Sequence, residues 1–430
     1  MPMTKDLGVG VVDEAESTPT LRPTFSADSQ NHARASVMLL RLLRASQPIS
    51  RADLARRLGV NRSTVTDTFK PLIAAGLVRE DALPPPGGAG RALGRPAAAL
   101  SFNDVQDYFV GVNVGVRRTA IGLAGLTGEV LGEREFETPP DPADALEMIA
   151  SVVAALCAGV RGRKLQVVGV SVPGTTDAAR RHVSYAPHLG WQDVALADAL
   201  RFDADGIDCS EERAVPVVVE NDATAAALYE ARLRLRRDES GRLEDFVLVR
   251  SGTGIGVGLV LGGEVYRGNG VGAGHAGEFG HMTIVAGGKP CVCGNRGCWE
   301  RYASASSASS LYVGDRVQLG GQAAPRFVEI VARAEGGELR AQRTLEKIGE
   351  YLGIGIGNVI TGLGVPRVIV SGRLVYGWKF ISEPLRAAVA QSMAGRLSRW
   401  SVEPGEAQGS GLGGALEVAA EGFITAGLGL

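Results

Sequence analysis

Apolar residues change their phase along the chain, and the changes divide it. Residues 1–29 are polar, with scattered Pro, Ser and Thr and no sustained periodicity, and they read as a disordered tail. From Ala33 the spacing becomes helical, with Val37, Leu39, Leu40, Leu42 and Leu43 as the expected buried face. A second helix is predicted to start at an N-cap, Ser50, with Asp53 three residues on, and to run to Gly59, which suits a tight turn. Val60 and Asn61 lead into a third helix, Arg62 to about Ala75, whose Val65, Phe69, Leu72 and Ile73 recur at core spacing. Pro71 is a candidate kink in it. The strand-like Leu77-Val78-Arg79, a Pro- and Gly-rich loop from Pro84 to Arg91, and a strand from Ala97 to Phe102 complete a wing.

From Tyr108 short apolar strands alternate with helices and Gly-rich turns. Strands are predicted at Phe109–Val114, Thr119–Ala124, Gln166–Val172, Val217–Glu220, Phe246–Arg250, Val257–Leu261 and Arg367–Val370. Helices are predicted at Asp144–Val160, Ala223–Leu235 and Gln342–Leu363. The alternation implies an α/β domain of two lobes. Leu233–Asp245 reads as a charged surface excursion and the glycines of Gly405–Gly414 as loops. No repeat of solenoid period is visible. The expected domains are 30–104 and 105–430.

Composition narrows the class of protein. Hydrophobic residues at 45% and charged residues at 21% suit soluble globular domains. No apolar run is long enough to span a bilayer, and the first residues lack the form of a secretory signal, so a cytoplasmic location is expected. A net charge of −2 does not announce a nucleic-acid binder, but bases outnumber acids from Arg34 to Arg95. In a helix-turn-helix the second helix enters the major groove. Here Arg62, Ser63 and Thr64 suit base or phosphate contacts, Thr66 and Asp67 share the exposed face, and Lys70 suits a phosphate. Arg91 and Arg95 in the wing could reach a narrow minor groove, or simply flank a rigid turn. An ordinary three-helix bundle is the alternative, and the succession of helix, tight turn, helix and wing favours DNA.

The densest chemistry is Gly277-Glu278-Phe279-Gly280-His281 followed by Cys291, Cys293 and Cys298. One imidazole and three thiolates in a short Gly-rich segment are a Zn²⁺ donor set, and four protein ligands make the metal structural rather than hydrolytic. Unrelated buried thiols are the alternative, disfavoured by the tight clustering.

These motifs resemble the ROK family of bacterial repressors, open reading frames and sugar kinases, over residues 30 to 430. The resemblance is carried by the His281–Glu300 segment, Val219-Glu220-Asn221-Asp222-Ala223, Val172-Pro173-Gly174, Ser184–Trp191 and Gly252-Thr253-Gly254-Ile255-Gly256. It implies a winged helix-turn-helix followed by a two-lobed actin-like ATPase (ribonuclease H-like) domain with sugar in the interlobe cleft. It further implies a sugar set of Gly174, His188, Asn221, Asp222, Glu278, His281 and Glu300, with Asp222 at the kinases' base position. His281 would then serve both zinc and sugar. Asn221-Asp222 alone would read as a helix N-cap.

The phosphate-loop-like positions are Gly115, Thr119, Thr253, Gly254 and Gly256. The family's kinases carry an Asp and a Gly-Gly-Thr turn on the first strand; here Asn113 replaces the acid and Val116 the second glycine. Loss of a metal-organising charge and an added Cβ predict that sugar phosphorylation is absent or very weak, so no catalytic residue is expected. His188 stands where many of the kinases have Asn, which leaves the sugar open. The expected protein is a sugar-responsive DNA-binding regulator, a homodimer or homotetramer binding a double-stranded operator and a sugar or sugar phosphate. An active kinase with a DNA-binding appendage, and a regulator answering to a protein partner, are the competing readings.

Overall fold

The computed structural model describes residues 27–82, 98–160, 162–206, 209, 214–237, 243–269, 274–314 and 324–427. The expected tail thus lies outside the described residues up to position 26, and its last three residues already belong to a helix. The wing loop with Arg91 and Arg95 also lies outside them.

Helix α1 (Ala27–Ser46) buries Leu39, Leu40, Leu42 and Leu43. After β1 (Ile49–Ser50), helix α2 (Arg51–Leu58) is capped as its sequence dictates: the Ser50 side chain accepts from the Asp53 N–H, and Gly59 closes the helix at φ +67°. Helix α3 (Arg62–Ala74) continues through Pro71, with Val65, Thr68, Phe69 and Leu72 buried. Strands β2 (Val78–Ala82) and β3 (Ala98–Phe102) pair antiparallel, and β3 also pairs with β1.

The rest of the chain repeats one topology twice. In the first lobe β4 (Asp107–Val114), β5 (Arg118–Ala124) and β6 (Val130–Glu137) are antiparallel, while β7 (Lys164–Val172) and β11 (Val217–Asn221) extend β4 in parallel, giving the order β11-β7-β4-β5-β6. Helix α4 (Pro142–Cys157) covers this sheet, starting at an Asp141 N-cap. A small sheet of β8 (Thr175–Thr176), β9 (Val183–Ala186) and β10 (Trp191–Val194), with the short α5 (Leu196–Ala199), is inserted before β11. In the second lobe β12 (Phe246–Ser251), β13 (Ile255–Leu261) and β14 (Glu264–Tyr266) are antiparallel, and β15 (Arg367–Gly372) and β16 (Ser401–Pro404) extend β12 in parallel. Between β14 and β15 lie α7 (Glu300–Ala303), α8 (Ala305–Val313), α9 (Phe327–Glu335) and the long α10 (Leu339–Leu363); α11 (Trp378–Gln391) and α12 (Met393–Leu397) precede β16.

Two helices join the lobes. Helix α6 (Asp222–Arg237) leaves the first sheet and packs on the second, and α13 (Ser410–Gly422) leaves the second and packs on the first. Bare backbone permits both contacts. A Cβ on Gly258 would lie 2.5 Å from the Ala223 carbonyl, and one on Gly169 2.3 Å from the Ala415 carbonyl. The glycines near 405–414 are therefore not all loop, as their composition suggested. Gly411, Gly413 and Gly414 are helical, and they lack side chains because a Cβ there would crowd Asn113, Tyr229 and the Ala225 backbone. Leu233–Asp245 is likewise not simply an excursion: α6 extends to Arg237 with Leu235 buried, and Arg234 pairs with Glu230 and Glu403.

The DNA-binding module is seated on the body. Its core of Leu39, Leu43, Phe69 and Leu100 is continuous with Phe109, Val167, Phe423 and Ile424. Beside this seam Arg44 is buried, donates from Nε to the Leu126 carbonyl at 2.7 Å and pairs with Glu417 of α13; Arg232 of α6 pairs with the same carboxylate at 2.8 Å. Arg41 bridges Glu264 and Glu421, and Arg57 of α2 donates to the Leu235 carbonyl at 3.0 Å.

Candidate functional site

The metal-ligand set converges as its spacing predicts. A turn at Glu278–His281 is entered through Gly277 at φ +95°, and a small hairpin pairs Thr283 with Cys298 and Pro290 with Arg296. A Cβ on Gly297 would strike the Val285 carbonyl at 1.8 Å, so only glycine lets the two arms approach. One ligand atom each from His281, Cys291, Cys293 and Cys298 lies within 4.8 Å of the others. The Cys293–Cys298 sulfurs are 3.7 Å apart and Cys291 Sγ is 3.6 Å from His281 Nδ1. Tetrahedral zinc with bonds of about 2.3 Å to sulfur spaces its ligands by about 3.8 Å, so the donor set fits a metal of this kind. Burial lowers the His281 pKa, keeping the ring neutral, and raises the Cys291 and Cys298 thiols; a cation would draw those protons off.

This cluster abuts a polar group assembled from both lobes. Glu300, at the start of α7, is buried; its Oε1 lies 3.1 Å from Cys291 Sγ and its Oε2 3.1 Å from His188 Nε2. The hydrogen bond to Glu300 raises the His188 pKa. Burial would raise Glu300, but its contacts with His188, Cys291 and His281 together hold the carboxyl below its usual range. His281 Nε2, the ring atom turned away from Cys291, lies 3.8 Å from Glu278 Oε2. Burial, then the charges of Asp222 and Glu300, push Glu278 up to about 7. Of the residues expected around a sugar, His188, Glu300, His281 and Glu278 thus form a chain of contacts, and the Asp222 charge acts on His188 and Glu278.

Asn221 and Gly174 are present with a structural task. Asn221 Oδ1 accepts from the N–H groups of Ala223 and Thr224 at 2.8 and 3.1 Å, capping α6, while Nδ2 donates to the Gly174 carbonyl at 2.9 Å. One amide hydrogen of Asn221 remains for a ligand. Gly174 is held at φ +156°, against Tyr185 and Ala186.

The phosphate-loop-like residues divide. Thr119 is fully buried: Thr138 donates its hydroxyl to the Gly115 carbonyl at 2.7 Å, so Thr119 must donate to Thr138 at 2.9 Å. Its hydroxyl is thus engaged through Thr138 with the Gly115 turn. Asn113 is likewise engaged, accepting from the Ser171 hydroxyl at 3.0 Å. Thr253 is half-buried in the turn between β12 and β13. Packing explains the two glycines beside it: a Cβ on Gly254 would lie 2.2 Å from Glu300 Oε2, and one on Gly256 2.7 Å from Ala223 Cβ.

One residue of the cleft was missed in the sequence. Arg250 of β12 forms an ion pair with Asp222. It stands in register with Gly256, whose missing side chain leaves room for the guanidinium to reach α6. A charged residue closing an otherwise apolar strand was the available signal. Glu220 was also unassigned; it is buried and pairs with Arg267 at 2.6 Å and Arg180 at 3.1 Å, tying the first lobe to the loop after β14.

On the DNA-binding module Arg62, Ser63 and Lys70 are exposed, while Thr64 and Thr66 are half-buried. The Thr66 hydroxyl donates to the Arg62 carbonyl at 3.0 Å. Among the described residues no helix is long and apolar enough to cross a membrane.

Comparison with known proteins gives the following. The sequence profile of the ROK family matches residues 109–421, and a helix-turn-helix domain profile matches residues 34–81. The chain is 29% identical over 366 residues to a xylose repressor of Bacillus subtilis, covering 84% of this chain and 87% of that one. The crystal structure of a ROK family transcriptional regulator, a homologue of an E. coli protein called MLC, superposes with a TM-score of 0.71 at 24% identity over 93% of this chain and 98% of that one. A ROK family glucokinase from Streptomyces griseus, in complex with glucose and AMPPNP, superposes with a TM-score of 0.59 at 26% identity, covering 73% of this chain and 99% of that one.

Proposed function

The chain belongs to the ROK family, and from that premise we propose that it is a sugar-responsive transcriptional repressor rather than a sugar kinase. The observation that carries this reading is a helix-turn-helix docked on a body whose cleft keeps carboxylates and imidazoles on its sugar side. A sugar is recognised by fixed donors and acceptors that would otherwise stay unpaired. His188, Asp222, Glu278 and Glu300, with the remaining Asn221 hydrogen, would supply them. The name of the B. subtilis relative makes pentoses the first ligands to try.

Zinc is the metal that His281, Cys291, Cys293 and Cys298 fit best, and its part would be structural. By holding Nδ1 it would leave the other His281 nitrogen beside Glu278, with fixed orientation and tautomer. Catalysis of phosphoryl transfer is disfavoured. Asn113 faces Ser171, Thr119 faces Thr138, and the Asp222 carboxylate is paired with Arg250 in place of a free base.

Signal transfer would run along α6. Its first residue, Asp222, lies in the cleft, and near its other end Arg232 and Leu235 touch Glu417 and Arg57 at the seat of the DNA-binding module. Closure of the cleft on sugar would tilt α6 and move that seat, changing the spacing of two recognition helices in a dimer. Residues 30–104 and 105–430 are the two modules so coupled.

The test is fluorescence anisotropy of the full chain on a duplex selected from random DNA. Monosaccharides and their phosphates are titrated in, with and without ATP. One sugar should weaken DNA binding at least fivefold, with no sugar-dependent ATP turnover. Turnover abolished by Asp222→Asn would overturn the reading in favour of the kinase.

A further inference from the structure

The exposed face of α3 carries a charge that DNA binding in general does not want. Ser63, Asp67 and Lys70 lie at i, i+4 and i+7, and all three are exposed. Val65, Phe69 and Leu72 are buried on the other side, and the Thr68 hydroxyl is 2.9 Å from that of Ser36, so the rotation of the helix is fixed. Asp67 is the sixth residue of the helix, within the turns that reach base edges.

The other carboxylates of this region are neutralised. Asp53 pairs with Arg56, Glu80 with Arg51 at 3.0 Å, and Asp81 with Arg79 at 3.2 Å. Asp67 alone among these four forms no ion pair or hydrogen bond within the described residues, although Lys70 is one turn away. An unpaired carboxylate carried into a groove lined by phosphates is repelled unless a base offers it a proton donor. In the major groove only the cytosine N4 and adenine N6 amino groups are donors. Reading adenine with two bonds also needs a donor toward N7, which a carboxylate lacks, so cytosine is the base it matches.

We propose that Asp67 specifies a cytosine in each half-site of the operator, its carboxylate accepting a hydrogen bond from the N4 amino group. Lys70, next on the same stripe, meets a guanine or a phosphate. The proposal rests on the reading of the chain as a DNA-binding regulator.

The experiment is selection of bound duplexes from a random DNA library by the full chain and by the Asp67→Asn, Asp67→Ala and Lys70→Ala variants, followed by anisotropy on the winning duplex and its single-base changes. The wild type should enrich cytosine at one position per half-site and lose about tenfold in affinity when that base is changed. Asp67→Ala should flatten the preference at that position alone, and Asp67→Asn should flatten it or move it to adenine. Lys70→Ala should weaken binding while keeping the cytosine. Two results overturn the proposal: Asp67 variants with an unchanged selected sequence, or an Asp67→Ala protein that binds every duplex more tightly with preferences intact, which would make Asp67 a repulsive charge only. If the wild type selects no sequence, the regulator reading falls as well, so the two failures are told apart. Asp67 is exposed, and thermal melting of each variant should match the wild type.

Discussion

On one side of the interlobe cleft His188, Glu300, His281 and Glu278 form a chain of contacts, with the Asp222 charge acting on Glu278; on the other, Asn113, Thr119 and Thr138 satisfy their polar groups within the protein. The first group draws on both lobes and the second on β4, β5 and the residue after β6 in the first lobe alone, and the two differ in how far their polar atoms are engaged within the protein. Groups left under-paired are available to a ligand, and groups bonded internally resist one. A cleft of this kind is suited to holding a sugar and poorly suited to cradling a phosphate.

The comparison can be broken most forcefully at the metal cluster. Cys298→Ser should lower bound zinc from about one ion per chain to near none by atomic emission. Sugar binding should vanish with it, because apparent metal affinities in structural zinc sites are on the order of 10 kcal/mol and that energy orders the segment holding His281 and Glu300. Sugar binding that survives would separate the metal from the sugar side. Next in size is Glu300→Gln. Replacing an ionised acceptor should raise the sugar dissociation constant about 10- to 100-fold by calorimetry, as expected for a charged hydrogen bond of about 1.5–3 kcal/mol.

Arg44→Met tests the seat of the DNA-binding module. Breaking a buried pair should cost about 3 kcal/mol in thermal unfolding. The smallest effect belongs to the phosphate side. Thr138→Val should cost about 1 kcal/mol of stability and change sugar affinity less than twofold. A larger change in sugar affinity there would mean that the two sides are not independent.

Much of the fold and of the candidate site is legible in short stretches of sequence. The caps of α2, the exposed face of α3 and the meeting of His281 with three cysteines are local, and local spacing determines them. The exceptions have a common cause in distant contacts. The glycines of α13 have the composition of a loop because their use, close approach to Asn113, Tyr229 and Ala225, involves residues far away in the chain. Asn221 and Asp222 read as one unit, yet the first caps α6 while the second reaches across to Arg250. Thr119 reads as part of a phosphate turn, and its partner Thr138 lies on the far side of a hairpin.

The amino-acid sequence by itself determined the winged helix-turn-helix, the metal-ligand set and the alternation of strands and helices, because each is specified by neighbours within a few turns of chain. Only the tertiary structure decided which carboxylate meets which cation: His188 with Glu300, Arg250 with Asp222, Arg44 and Arg232 with Glu417. Such pairs join segments up to 373 positions apart, and their partners are brought together by long-range packing, which no local pattern encodes.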